Sequence, residues 1–103
     1  MKQWYELEII EQRQIGDKLL VVKGLPCYDS TEAFLHNVYC YSADTKKLMW
    51  RISNPPNSIA GTQRTPYVGL SITDQGYGAV DFGGRRFFFD IDTGDILGVD
   101  FVK

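Results

Sequence analysis

The chain has 103 residues, which is enough for one hydrophobic core and too short for two separate ones. Hydrophobic residues make up 44% and charged residues 23% of it, values of a globular protein that argue against intrinsic disorder. The formal net charge is −2 and no stripe of Lys and Arg occurs. We therefore expect no direct binding of nucleic acid.

Alternation of apolar and polar residues with a period of two runs through the chain and is typical of half-buried strands. Short clusters of Gly, Asp, Asn and Thr separate the alternating runs and predict tight turns. Eight strands are predicted, at residues 5–9, 18–25, 37–43, 48–53, 67–73, 77–82, 86–91 and 96–102. Residues 30–36 (STEAFLH) offer at most two helical turns, so we predict a loop there.

A segment of twelve residues occurs twice. YCYSADTKKLMW (39–50) aligns without a gap with FFFDIDTGDILG (87–98), at an offset of 48 residues. Each copy would form the third strand, turn and fourth strand of a four-stranded meander. The predicted meanders span residues 3–53 and 67–102, joined by a loop at 54–66, within a single domain of residues 1–103. The motif resembles one blade of a quinoprotein-type β-propeller.

The predicted fold is all-β, with two antiparallel meanders packed as a sandwich or as one partly closed, strongly twisted sheet. Two blades cannot close a propeller, so we expect the meanders to pack face to face and bury their aromatic faces. The one-face spacing assigns five aromatic residues to the core: Tyr39, Tyr41, Trp50, Phe87 and Phe89. Tyr28, Tyr67 and Tyr77 lie near loops or strand starts and are expected to be exposed. After the turn, apolar positions in the two copies differ by one residue, which predicts a bulge or a longer turn in one copy.

Residue types that could form a catalytic or metal site are scarce. His36 is the only histidine, and Cys27 and Cys40 are predicted to be free thiols. Asp90, Asp92 and Asp95 lack the spacing of an EF-hand and are better explained as parts of a β-turn. We predict no enzymatic activity, no catalytic residue, no metal and no cofactor. A small enzyme remains the least favoured hypothesis for the function.

The first residues contain three glutamates by position 11, which does not fit the apolar core of a signal peptide. No stretch of the sequence reaches membrane-spanning length. We therefore expect a cytoplasmic protein that does not associate with membranes.

From residue 37 onward, about two-thirds of the chain resembles small bacterial proteins encoded beside polymorphic toxins, including immunity proteins of contact-dependent growth inhibition. The resemblance lies in an Asn-Val-aromatic-Cys-aromatic strand, a Leu-x-Trp strand, a Pro-containing loop, a Pro-Tyr-x-Gly strand, an aromatic strand and an Asp-x-x-Thr-Gly turn. These motifs occur here at residues 37–41, 48–50, 54–66, 66–69, 87–89 and 90–94.

The resemblance implies a cytosolic inhibitor without enzymatic activity that binds the C-terminal domain of one cognate toxin, often a nuclease. It transfers no binding residue. We expect a monomer or weak dimer. The alternative is a general protein- or carbohydrate-binding β-module.

A nuclease presents a basic surface that carboxylates can occupy, so acidic and aromatic residues are the candidates for the partner surface. Alternation in the sixth strand predicts that Tyr77 and Asp81 share the outward face, with Asp74 in the adjacent turn. A second candidate surface lies in the first meander, around Tyr28, Asp29 and Glu32.

Overall fold

The computed structural model describes residues 8–24, 37–53, 66–81 and 83–101, without the side chains of Glu8 and Phe101. The elements in these ranges are eight β-strands. They are β1 (Glu8–Ile15), β2 (Lys18–Gly24), β3 (Val38–Ser42), β4 (Leu48–Arg51), β5 (Tyr67–Thr73), β6 (Gly76–Asp81), β7 (Arg85–Phe89) and β8 (Ile96–Phe101). The predicted all-β class and the eight strands are confirmed. β1 extends to Ile15, six residues beyond the predicted end of the first strand.

Two four-stranded antiparallel sheets form, with strand orders β1-β2-β3-β4 and β5-β6-β7-β8. We call them the first and second units. One hydrophobic core lies between them, as expected for two sheets that each bury one face. The first unit contributes Leu20, Val22, Val38, Cys40, Trp50 and Ile52, and the second unit contributes Tyr67, Ala79, Phe87 and Phe89. Tyr67 is therefore buried, against the expectation of exposure.

Two polar side chains of the first unit, the buried Asn37 and the partly buried Glu11, tie the edge strand β5 to it. The Asn37 amide donates to the Tyr67 carbonyl at 2.7 Å and accepts from the Tyr67 amide at 2.9 Å. The Glu11 carboxylate accepts a hydrogen bond from the Leu70 amide at 3.0 Å. These contacts satisfy backbone groups that an edge strand would otherwise leave unpaired.

The two repeated hairpins have the same backbone plan. In both, a carbonyl at the end of the third strand accepts a hydrogen bond from the amide four residues further on: Lys46 donates to the Ser42 carbonyl, and Gly94 donates to the Asp90 carbonyl. Both donors have positive φ, 63° at Lys46 and 79° at Gly94. Both hairpins also carry a bulge at the same place in the fourth strand. The expectation of a bulge or longer turn in only one copy is therefore wrong.

What differs between the two hairpins is the face that enters the core. In the first hairpin the core face consists of Val38, Cys40, Trp50 and Ile52. The equivalent residues of the second hairpin, 48 positions on, lie on the outer face of the sheet: Arg86, Phe88, Gly98 and Asp100. We call the face formed by these equivalent residues the back face of each hairpin, and the opposite face its front face. The second hairpin instead buries its front face, with Phe87 and Phe89.

The units therefore pack front to back rather than face to face, and the predicted burial of both aromatic faces is corrected. Tyr39 and Tyr41, the front-face equivalents of Phe87 and Phe89, lie on the outer face of the first sheet. Their rings stack with centroids 6.3 Å apart. Tyr39 is only 2% exposed, yet it does not belong to the core between the sheets. Of the five aromatic residues predicted to form that core, Trp50, Phe87 and Phe89 do so.

Candidate functional site

Each of the four edge strands carries one bulge, and the extra residue of each bulge is an exposed apolar side chain. These residues are Ile10, Met49, Val68 and Leu97, which the pairing of β1, β4, β5 and β8 leaves without a partner. Bulges keep edge strands from pairing with other chains. Leu97 is the most exposed of the four, at 65%. Single exposed apolar residues are ordinary on protein surfaces, so such a residue indicates a binding surface only where it joins a larger apolar groove or patch.

Leu97 lies at the wall of a groove in the second unit, with a volume of about 360 Å³. This volume is in the range of pockets that hold small groups of a ligand. Seven residues line the groove: Gln75, Gly76, Tyr77, Phe88, Phe89, Leu97 and Gly98. Most of the lining is aromatic, aliphatic or glycine, so the groove favours an apolar occupant.

Two glycines keep the groove open. A Cβ built on Gly98 would meet no atom within 4 Å, so this position faces open space. Gly76 has a φ of 142°, which only glycine adopts without strain, and a Cβ there would lie 3.4 Å from the Phe88 ring. The tight β5–β6 turn thus fixes one wall, and the back face of the second hairpin forms another.

The Phe88 ring beside Gly98 is itself held by charged neighbours. The Arg86 guanidinium lies over this ring, 4.9 Å from its centroid. Arg86 also makes a two-point ion pair with Asp100, with Nε to Oδ1 at 2.8 Å and Nη2 to Oδ2 at 2.6 Å. These hydrogen bonds lower the pKa of Asp100 and raise that of Arg86. The outer face around Phe88 is therefore ordered by a paired, charge-neutral contact.

The turns next to the groove are acidic. Four aspartates of the second unit lie in its β5–β6 and β7–β8 turns: Asp74, Asp90, Asp92 and Asp95. The two arginines of this unit within the described residues, Arg85 and Arg86, form ion pairs with Asp81 and Asp100. Lys18 of the first unit reaches Asp92 at 3.3 Å, and this hydrogen bond raises the pKa of Lys18. The remaining carboxylates leave an excess of negative charge at this end of the second unit.

The structure separates the predicted partner-binding residues. Asp74 is exposed in the β5–β6 turn and adjoins the groove residue Gln75. Tyr77 lines the groove but also packs on the core, with its ring centroid 6.4 Å from that of Phe89. Asp81 is buried, at 2% exposure. The predicted outward placement of Tyr77 and Asp81 is therefore wrong.

The Asp81 carboxylate has a structural partner instead. It accepts hydrogen bonds from the Arg85 amide at 2.8 Å and from Arg85 Nε at 2.9 Å. The Gly84 amide donates to the Asp81 carbonyl, and Gly84 has positive φ, which confirms the tight turn expected between the predicted strands at 77–82 and 86–91. A buried carboxylate that braces a turn is not available to a partner. The second candidate surface, Tyr28, Asp29 and Glu32, lies outside the described residues, as does most of the loop at 54–66.

No cluster of three or more His, Cys, Asp or Glu that could hold a metal ion occurs within the described ranges. The interpretation of residues 90–95 as a turn is confirmed by two hydrogen bonds. The Asp90 side chain accepts one from the Asp92 amide, and the Asp90 carbonyl accepts one from the Gly94 amide. Cys40 is a free, buried thiol, and burial raises its pKa. His36 and Cys27 lie outside the described part of the chain.

The outer face of the first unit carries a second group of aromatic and basic side chains. Lys23 lies over both the Tyr39 and Tyr41 rings and donates to the Tyr41 hydroxyl at 2.9 Å. Arg51 lies over Tyr39 with its guanidinium carbon 5.3 Å from the centroid. The Tyr39 hydroxyl is buried and has no hydrogen-bond partner among the described residues. Because Tyr39 is buried, this group offers less contact surface than the groove of the second unit.

Sequence reasoning named Asp74 and Tyr77 but missed Phe88, Leu97 and Gly98. A signal for Gly98 was present, because the gapless alignment places it opposite Trp50. Where one copy of a repeat has tryptophan and the other has glycine, the space above that position is filled by a side chain in the first copy and left open in the second.

Comparison with known proteins assigns no family to the chain: no family model matches it, and no curated sequence is significantly similar. In the part of the chain that the structure describes, no helix is long and apolar enough to cross a membrane.

Proposed function

We propose that this protein binds and neutralises the toxic domain of a bacterial toxin, as an immunity protein, and that the groove beside Leu97 is its contact surface. The observation that carries the proposal is an exposed apolar groove bordered by an acidic turn end. Protein interfaces commonly combine a central apolar pocket with a polar rim. The resemblance of residues 37–94 to immunity proteins supports the same function.

The charge of the rim favours a basic partner. Asp74 adjoins the groove in sequence, and Asp95 lies in the neighbouring β7–β8 turn. A toxin that cleaves nucleic acid holds phosphates on a basic surface, to which these carboxylates are complementary. Binding there would exclude the nucleic acid and requires no chemistry from the inhibitor.

A carbohydrate-binding module is the second candidate, because Phe88 and Tyr77 place aromatic groups at the groove and Gln75 provides an amide. This candidate predicts saturable binding of oligosaccharides by the purified protein. The toxin-binding candidate predicts none.

The test is co-expression in a bacterial host with the toxin domain encoded beside this gene. The wild-type protein should restore growth and co-purify with the toxin domain as a stoichiometric complex. Leu97→Asp should weaken the complex by roughly tenfold or more, since it places a charge in an apolar contact. Met49→Asp is the matched control, because Met49 is the equivalent exposed bulge residue of the first unit.

Charge reversal provides a second arm. Asp74→Lys with Asp95→Lys should slow association and reduce its salt dependence, whereas Asp44→Lys in the first unit should do neither. The absence of a toxin gene next to this one, or killing that the wild-type protein does not relieve, would refute the proposal. Equal effects of Leu97→Asp and Met49→Asp would place the interface elsewhere.

A further inference from the structure

The internal repeat indicates what the groove holds. Trp50 and Gly98 are equivalent residues of the two hairpins, each paired across its bulge-containing strand, with Cys40 and Phe88 respectively. In the first unit this position is filled from within the chain by an indole ring. In the second unit it carries no side chain, and the space above it is open.

Trp50 shows how the back face of one hairpin places an aromatic group against the other unit. Its ring packs edge-on against Phe89, with centroids 5.5 Å apart, and its Nε1 donates to the Ile91 carbonyl at 2.9 Å. The ring also covers Gly94, where a Cβ would collide with the indole. An aromatic ring that projects from the back face of one hairpin and packs against a glycine and a ring of the other unit is thus an arrangement that the protein already uses once.

The walls at Gly98 offer neighbours of similar chemistry to a ring that comes from outside, although here they all belong to the second unit itself. Phe88 supplies an aromatic neighbour, Leu97 an exposed aliphatic one, and Gly76 a wall without a side chain. Aromatic pairs gain contact energy beyond the area they bury, which an aliphatic occupant of similar size would not. The groove volume of about 360 Å³ is large enough for one such ring.

We propose that the groove receives one aromatic side chain of the partner protein, most favourably tryptophan, in the place where the first unit carries its own Trp50. Because Asp74 borders the groove, the segment that presents this ring is basic. This inference rests on the proposed function in that it names the anchor residue of the same interface. Aromatic anchors in closely fitting pockets typically dominate the energy of protein interfaces.

Binding of short probes to the purified full chain tests the inference without the toxin. N-acetyl-tryptophanamide should produce saturable NMR shifts at the backbone amides of Gln75, Gly76 and Gly98, with a dissociation constant on the order of 1 mM. N-acetyl-leucinamide at the same concentrations should bind at least about fivefold more weakly. The blocked tripeptide Lys-Trp-Lys should bind more tightly than Glu-Trp-Glu, and 0.5 M salt should remove most of that difference.

Gly98→Trp should fill the groove from within and abolish the shifts caused by N-acetyl-tryptophanamide. Gly98→Leu is the second, smaller filling variant, in case the larger one impairs folding. Gly98→Ala should retain most of the binding, because its methyl group meets open space. Thermal unfolding of each variant shows that the fold is intact before binding is measured.

Absence of saturable shifts in the wild-type protein, or unchanged shifts in both filling variants, would overturn the inference. Equal affinity for the tryptophan and leucine probes would also overturn it, since the groove would then select only apolar area. Binding of oligosaccharides at these amides in place of tryptophan would support the carbohydrate-binding candidate instead. Because the probes need no toxin, growth rescue without probe binding refutes only this inference, and probe binding without rescue refutes only the proposed function.

Discussion

The two repeated hairpins of this protein share a backbone but differ in the chemistry of their two faces. On the back face, the first hairpin has the apolar pair Val38 and Ile52, and the second has the ion pair Arg86 and Asp100 at the same positions. On the front face it is the first hairpin that carries the charged residue. Arg51 is exposed there, whereas the equivalent residue of the second hairpin, Val99, packs on the core.

This comparison shows that side chains rather than backbone decide which face is buried. A hairpin with the same turn, bulge and strand pairing can present either face to the core, because a sheet has two sides and each needs only suitable side chains. In a front-to-back stack of the two described sheets, the back face of the second unit has no described sheet against it. The open groove at Gly98 is a direct consequence of that arrangement.

The largest expected effect comes from the filled and open positions of the back face. Trp50→Ala should lower the free energy of unfolding by roughly 3–5 kcal/mol, because it removes a buried ring and its hydrogen bond to Ile91. Gly98→Ala, at the equivalent open position, should change it by less than about 0.5 kcal/mol. Urea midpoints with unchanged slopes would measure both. Similar losses in the two variants would contradict the assignment of buried and open faces.

The front face allows the same comparison, because both hairpins carry aromatic residues there. Phe89→Ala should cost about 3–5 kcal/mol, since this ring is buried and contacts both Trp50 and Tyr77. Tyr41→Ala should cost about 1–2 kcal/mol, the value of a half-buried ring and one hydrogen bond from Lys23. A domain of this size has about 5–15 kcal/mol in total, so the Phe89 variant should be marginally stable by chemical denaturation. A larger loss for Tyr41→Ala than for Phe89→Ala would reverse the faces.

The turns allow a test in which one substitution should stabilise the protein. Lys46→Gly should raise the free energy of unfolding by about 0.5–1 kcal/mol, because glycine relieves the positive φ that Lys46 adopts. Gly94→Ala, at the equivalent position, should lower it by about 2–4 kcal/mol, since the methyl group adds strain at positive φ and collides with Trp50. Thermal and urea unfolding of the two variants would reveal the opposite signs.

The strands, turns and repeat could be predicted from the sequence because they depend on local patterns. Alternation located seven of the eight strands and only the start of β1, and Gly, Asp and Thr located the turns at 90–95 and 83–84. The faces were not predicted correctly, because alternation shows that two sides differ but not which side meets the other sheet. The charges at Arg51, Arg86 and Asp100 contained that information, because burying a charged face costs free energy. The back face of the second hairpin carries an ion pair and that of the first is apolar, so only the first suits the core.

The candidate site was predicted only in part, for a related reason. Asp74 was found because an aspartate in a turn is exposed in almost any arrangement of the sheets. Asp81 was misplaced because its exposure depends on the front-to-back packing and on Arg85, which pairs with it. A groove formed by missing side chains, such as Gly76 and Gly98, leaves no polar or aromatic signal of its own.

The smallest expected effect concerns the ion pair that replaces an apolar pair on the second back face. Hydrogen bonds from Arg86 lower the pKa of Asp100 below its unfolded value of about 3.9. A carboxylate with a lowered pKa in the folded state adds stability above the unfolded pKa, and this contribution disappears as the pH falls through the folded pKa. Asp100→Asn should therefore reduce stability at pH 6 but not near pH 2. Exposure of Asp100 to solvent keeps this effect below those of the core variants, and added salt should reduce it further. Urea midpoints from pH 2 to 7 would show the two curves converge in acid. In an Arg86→Gln background, Asp100→Asn should lose its pH-dependent effect, and an undiminished effect there would mean that another group lowers the pKa of Asp100.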